Sequence, residues 1–178
     1  MALRKAACYS LRATVPYTRK SKFKQKAYIK SVPNTKLTKM RMGDIIGYKA
    51  GKYKILMYVR TKHAVQLRDN ALEASRQHLN RFLTEDVGKD FYLEVRPYPH
   101  HIQRENKMIT GAGADRMQTG MALSFGKSMG RACLMKRGDI IFIIGVTNPK
   151  HEAIARHLVG SIRARMPCTM QIDTVKTK

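Results

Sequence analysis

Residues 69–99 read DNALEASRQHLNRFLTEDVGKDFYLEVRPYP, and a change of period inside that stretch decides the fold. Up to Val87 the apolar residues Leu72, Leu79, Phe82 and Leu83 recur at helical spacing and build one face. Asn70 with Glu73 three residues later has the form of a capping box, and Gly88 stands where a helix would stop. Arg76 and Arg81 fall off the apolar face and are expected in solvent. From Phe91 the period becomes two. Phe91, Leu93 and Val95 alternate with Tyr92, Glu94 and Arg96, as in a strand with one buried face, until Pro97 and Pro99 end it.

The flanking sequence extends this helix–strand pair. ACLMK and IIFIIGV on either side of Arg137-Gly138-Asp139 predict a hairpin. Asn148-Pro149 opens a second helix with Ile154, Leu158 and Ile162 inward, stopped by Pro167, and CTMQIDTV is a last strand. Upstream, LTKMRMGDIIGY and YKILMYVR read as two further strands. The expected fold is α+β: two helices packed on a mainly antiparallel sheet of about six short strands. Residues 1–36 are expected as a basic N-terminal extension, and residues 37–178 as the globular domain, carrying a long internal loop at 101–131.

Charge sets the class of partner. The 178 residues hold 35 Lys+Arg against 12 Asp+Glu, a net charge of +23. Such an excess repels itself in a compact fold, and a polyanion relieves the repulsion. No apolar run approaches the ~18–20 residues of a spanning helix, so no membrane partner is expected. Met1–Ala7 does not begin a secretory leader. Cys8, Cys133 and Cys168 are odd in number and widely spaced; they fit neither a disulfide framework nor a zinc site, which points to a reducing, cytoplasmic setting. The first 43 residues contain no acid. They carry Arg4, Lys5, Arg12, Arg19, Lys20, Lys22, Lys24, Lys26 and Lys30, with Tyr17, Phe23 and Tyr28 interleaved. Cations neutralise phosphates and aromatic rings stack on bases, whereas a merely solvated tail is poor in aromatics.

The second polyanion-seeking stretch is HIQRENKMITGAGADRMQTGMALSFGKSMGR, His101–Arg131, with five glycines, four methionines and no lasting period. Connections longer than about 12–15 residues are uncommon in compact domains unless they are functional or disordered. Glycines let backbone approach a crowded surface. Arg104, Lys107, Arg116, Lys127 and Arg131 can meet phosphates, while Asn106, Gln118 and Thr119 can bond riboses or base edges. Enzymatic readings fare worse. Gly126-Lys127-Ser128 ends like a phosphate loop, but Met121 occupies the place of its first glycine, and Arg116 spoils the dinucleotide pattern in GAGADR. His100-His101 lacks a third ligand at metal spacing, and Glu105 and Asp115 each neighbour an arginine. No active site, metal or cofactor is expected.

These residues carry a resemblance. RKAACYSLRATVPYTRKS, LRDNALEASRQHLNRFL and the block FYLEVRPYPHHIQRENKMITGAGADRMQTGMALSFGKSMG resemble the large-subunit ribosomal protein family L-ten-e, the archaeal and eukaryotic counterpart of bacterial L-sixteen. ENKM, GAGADR and QTGM are the most specific segments. The resemblance implies an α+β sandwich on 23S-type rRNA near the 5S rRNA and the central protuberance, among other large-subunit proteins and beside the A- and P-site tRNAs. It makes the basic start an rRNA-binding extension. It carries His101, Arg104, Asn106, Lys107, Met108, Arg116, Met117, Gln118, Thr119 and Lys127 to the loop that points toward tRNA. The function implied is structural and non-enzymatic: to hold rRNA and help position tRNA. A free-standing RNA-binding or RNA-chaperone protein is the alternative that the residues alone also allow.

Overall fold

The computed structural model describes residues 29, 31–105 and 127–176. Within them two antiparallel sheets and three α-helices form an α+β fold, as the change of period implied. The elements are β1 (Arg41–Gly43), α1 (Ile45–Lys49), β2 (Ile55–Thr61), β3 (Val65–Arg68), α2 (Asp69–Asp86), β4 (Phe91–Val95), β5 (His101–Glu105), β6 (Lys127–Met135), β7 (Ile140–Val146), α3 (Pro149–Ser161) and β8 (Met170–Lys176), with a 3-10 turn at Ile162–Arg165. The larger sheet has the order β1-β4-β7-β2-β8 and the smaller β3-β6-β5.

The main core lies between the larger sheet and the helices. Leu72, Leu79 and Leu83 of α2 are fully buried, as their spacing predicts, against Met57, Val59, Leu93, Phe142 and Ile144. α3 opens on Pro149 and contributes Ala155, Leu158 and Val159, and Ile162 follows in the 3-10 turn. A fully buried side chain of this size contributes about 1.5–3 kcal/mol relative to exposure. Both described thiols, Cys133 and Cys168, are free, and burial raises them to about 12 and about 11, so they are unreactive packing groups.

Four local expectations are corrected. The segment LTKMRMGDIIGY is not one strand: β1 ends at Gly43, with φ +80°, where any β-carbon would collide with the Phe91 carbonyl. Asp44 then caps α1, its Oδ1 accepting from Gly47 N at 2.8 Å. β4 is buried on both faces, because Tyr48 of α1 stacks on Tyr92 with ring centroids 3.9 Å apart and covers the outer side. β6 and β7 do not pair as a hairpin. β7 is apolar on both faces and pairs with β2 and β4, which leaves no edge for β6. The capping box is also absent: Arg68 stands at the N-cap of α2 and its side chain makes no capping bond to the helix, while Asp69 and Glu73 accept from Lys36 N and Thr38 N.

The turn between β6 and β7 stitches the two sheets together. Gly138 N donates to Thr61 O at 2.9 Å, Thr61 N to Asp139 O at 3.0 Å and Thr61 Oγ1 to Lys136 O at 2.6 Å. Gly138 holds φ +87° with open space where a β-carbon would stand. Gly138→Ala therefore meets only the backbone penalty, about 1–2 kcal/mol, which is read as a lower urea midpoint at unchanged slope.

Candidate nucleic-acid interface

The smaller sheet frames the long loop. β5 and β6 pair antiparallel from His101 opposite Ala132 to Glu105 opposite Lys127, so both ends of the 101–131 stretch are strand rather than irregular chain. Gln103 Nε2 donates to Gln66 Oε1 at 2.6 Å, a buried bond that ties β5 to β3 across the sheet. The ribbon is thus a fixed root, and residues 106–126 join its two strands.

The chain leading out of the N-terminal extension is fastened to the same root. Ser128 Oγ donates to Ser31 O at 2.7 Å, and Arg131 Nε to Pro33 O at 2.6 Å. Arg131 Nη1 also reaches the Tyr98 hydroxyl at 3.2 Å. Further along, the carboxylates of α2 that do not cap the helix grip this strap. Lys36 N donates to Asp69 Oδ2 at 3.0 Å, and Thr38 N to Glu73 Oε2 at 3.3 Å. Leu37 between them is buried.

Arg76, expected in solvent, is buried instead. Its Nε donates to Glu73 Oε2 at 2.8 Å and its Nη1 contacts Met42 Sδ at 3.0 Å, while Gln77 Nε2 also donates to Glu73. The Arg76 guanidinium, followed by the Gln77 and Thr38 donors, holds the Glu73 carboxyl at about 2 against the opposing effect of burial. The helical period placed Arg76 correctly off the leucine stripe. The flank of the helix it occupies is covered by a strap that no sequence period announces.

The consequence is geometric. Ser31 is bonded beside Lys127, the point where the chain re-enters β6. Residues 1–28 and 30 therefore connect at the same pole of the fold as residues 106–126. Of the candidate contact residues singled out from sequence, three have describable side chains, and one of them, Arg131, is engaged by the Pro33 carbonyl and the Tyr98 hydroxyl. Lys127 is exposed at the root. His101 is 3% exposed, and burial, then His100, lowers its pKa to about 4, so its imidazole is neutral at pH 7. Arg104 lies on β5, with only its backbone described. Arg4, Lys5, Arg12, Tyr17, Arg19, Lys20, Lys22, Lys24, Lys26 and Lys30 lie outside the described residues, as do Asn106, Lys107, Met108, Arg116, Met117, Gln118 and Thr119. No motif in the sequence links Ser31 with Ser128; only the fold brings them together. Among the described residues no group of three His, Cys, Asp or Glu could hold a metal ion, and no helix is long and apolar enough to cross a membrane.

Comparison with known proteins gives the same family as the sequence resemblance. A family model described as ribosomal protein L16p/L10e matches residues 13–173. A protein of Thermofilum pendens named large ribosomal subunit protein uL16 is 43% identical over 97% of this chain and 96% of its own. Proteins of the same name from Metallosphaera sedula and Methanococcus maripaludis are 41% and 37% identical, each over 100% of this chain and 97% of their own.

Proposed function

Because the chain belongs to the ribosomal protein L16p/L10e family, and is thereby a structural component of the large ribosomal subunit, we propose that it binds 23S-type rRNA near the 5S rRNA and helps position A- and P-site tRNA. The basic extension of residues 1–36 works as the rRNA anchor. The 101–131 stretch of the domain at 37–178 works as a finger toward tRNA. The supporting observation is the Ser31–Ser128 junction, which gives extension and finger one common origin on a rigid ribbon. Cations from both then meet one RNA surface, with Arg4, Lys5, Arg12, Arg19, Lys20, Lys22, Lys24, Lys26 and Lys30 as phosphate contacts and Tyr17 as a stacking ring. Arg104, Lys107, Arg116 and Lys127 contact phosphate along the finger, and Asn106, Gln118 and Thr119 bond riboses or bases. Met108 and Met117 fill uneven apolar surface. His101 acts at the root as a neutral, buried ring that fixes β5, not as a phosphate contact. No reaction step is assigned to any of these groups.

Trimming Lys107–Gln118 to a short glycine linker tests the finger. Loop closure changes by only about 0.6 kcal/mol per doubling of length, so the fold should persist. The trimmed protein should still enter large subunits through its extension. Loss of Lys107 and Arg116, at about 0.5–1 kcal/mol for each exposed contact, should weaken tRNA binding about five- to thirtyfold on reconstituted subunits. Unchanged tRNA affinity and peptide-bond formation would remove the positioning role, and failure to assemble would make the finger an rRNA anchor.

A further inference from the structure

Extension and finger both meet the fold at the Lys127 end of β6. The nine residues of β6, at about 3.3 Å each, put its other end roughly 30 Å away. There the turn into β7 separates two adjoining clefts of about 350 and 430 Å³, which share Arg60 and Gly138. Arg96 lines the first, and Lys62, His63 and Arg137 the second. We propose that this double cleft seats a second length of RNA phosphodiester backbone, so that the protein clamps two RNA segments at opposite ends of β6. The inference rests on the RNA-binding reading above.

The cleft has a rigid wall. Arg60 Nη1 donates to Gly138 O at 2.9 Å, its Nε meets Asp173 Oδ2 at 2.9 Å, and its guanidinium lies 5.8 Å from the Tyr58 ring centroid. Its charge is therefore partly met, and it shapes the site. Lys62 and Arg137 are different: both are exposed, and neither makes a hydrogen bond or ion pair by its side chain among the described residues. Their backbones are nevertheless fixed, since Lys62 N donates to Thr169 O at 3.0 Å and Arg137 sits in the turn held by Thr61. Arg96 shares one carboxylate, Glu94, with Arg41, each at 3.5 Å, so one of those two positive charges is left over. Asp139 lines the first cleft, but its Oδ2 accepts from Lys136 N at 2.7 Å. The sum is positive.

Three features favour nucleic acid over an acidic protein segment. Guanidinium groups predominate, and their planar forks match phosphate oxygens. The two clefts adjoin across Gly138, where no side chain bars a chain of regularly spaced anions from passing between them. The Tyr58 ring beside Arg60 adds an aromatic surface of the kind on which bases stack.

The test is the double variant Lys62→Gln/Arg137→Gln in the full chain, titrated against protein-free large-subunit rRNA between about 50 and 200 mM salt. Each lost phosphate contact lowers the slope of log affinity against log salt by about 0.7–0.9, so a fall of about 1.4–1.8 is expected. Lys89→Gln/Lys150→Gln, also exposed but remote from the cleft, should leave the slope unchanged. A wild-type slope in the cleft variant, with wild-type protein binding steeply, would overturn the second seat and leave the RNA-binding reading standing. Absence of salt-dependent binding by the wild type would overturn both. A wild-type slope accompanied by loss of a neighbouring protein from reconstituted subunits would overturn the RNA seat in favour of a protein contact.

Discussion

Glu73→Gln is expected to destabilise the protein by about 3–5 kcal/mol, because it leaves the Arg76 guanidinium buried without a counter-charge. Both residues are only 9% exposed, and Glu73 additionally accepts from Thr38 and Gln77, so the substitution weakens a whole cluster. The same carboxylate predicts a pH limb. Its pKa is depressed from 4.5 to about 2, chiefly by the Arg76 hydrogen bond. A group with a depressed folded pKa contributes stability that is present above the unfolded value and lost as pH falls through the folded one. The window therefore runs from about pH 4.5 down to about 2, and the shift is equivalent to about 3 kcal/mol. Urea unfolding of wild type across that window should show the limb, and Glu73→Gln should lack Glu73's share of it. Glu73→Leu/Arg76→Met should recover much of the single-variant loss, since neither charge is then buried alone. A Glu73→Gln cost below about 1 kcal/mol with the full limb retained would show that the pair does not fasten the strap.

That cluster also marks where sequence reading reached its limit. Leu72, Leu79 and Leu83 declared the core face of α2 because a helix buried on one stripe must repeat its apolar residues near every 3.6 positions. Glu73 and Arg76 lie on a flank, and their burial depends on residues 36–42 crossing the helix, a contact 33–38 positions away along the chain. A helical period carries only local spacing, in which Arg76 reads as facing water and Glu73 as half of a capping box.

The same distinction separates the other outcomes. β2, β4, α3 and β8 were legible because each presents its apolar side in a regular local pattern. Ile140–Val146 was legible as a strand but not as to its partners. An apolar run of that kind announces burial on both faces, and β2 and β4 occupy both its edges, so sequence adjacency to β6 counted for nothing. α1 was hidden by β-rich residues; its signal was Gly43 followed by the capping Asp44. At the candidate interface, composition picked out the basic extension and the glycine-rich stretch. It could not reveal that Ser31 and Ser128, 97 positions apart, join their origins, nor that Arg60, Lys62 and Arg137 gather at the opposite end of β6.

Deletion of Met1–Lys30 should have the largest effect on RNA binding. The segment holds nine Lys+Arg and no acid. Contacts to single strands contribute about 0.7 each to the slope of log affinity against log salt, so the deletion should lower that slope by about 3 if half of the cations engage and about 6 if all do. Between about 50 and 200 mM salt, a slope difference of 3 corresponds to roughly a 60-fold change in relative affinity. The fold should survive the cut, because the fastening of the strap begins at Ser31, and its bonds to Ser128, Arg131, Asp69 and Glu73 all remain. A full-length variant with the nine cations changed to Gln separates charge from chain. If phosphate neutralisation carries the binding, it should match the deletion. If Tyr17, Phe23 and Tyr28 contribute stacking, it should retain the affinity they supply with a flattened slope. The measurements are salt titrations against large-subunit rRNA and co-sedimentation with large subunits after a high-salt wash. A deletion that left slope and co-sedimentation unchanged would make residues 1–30 a solvated tail and move rRNA anchoring to the globular domain.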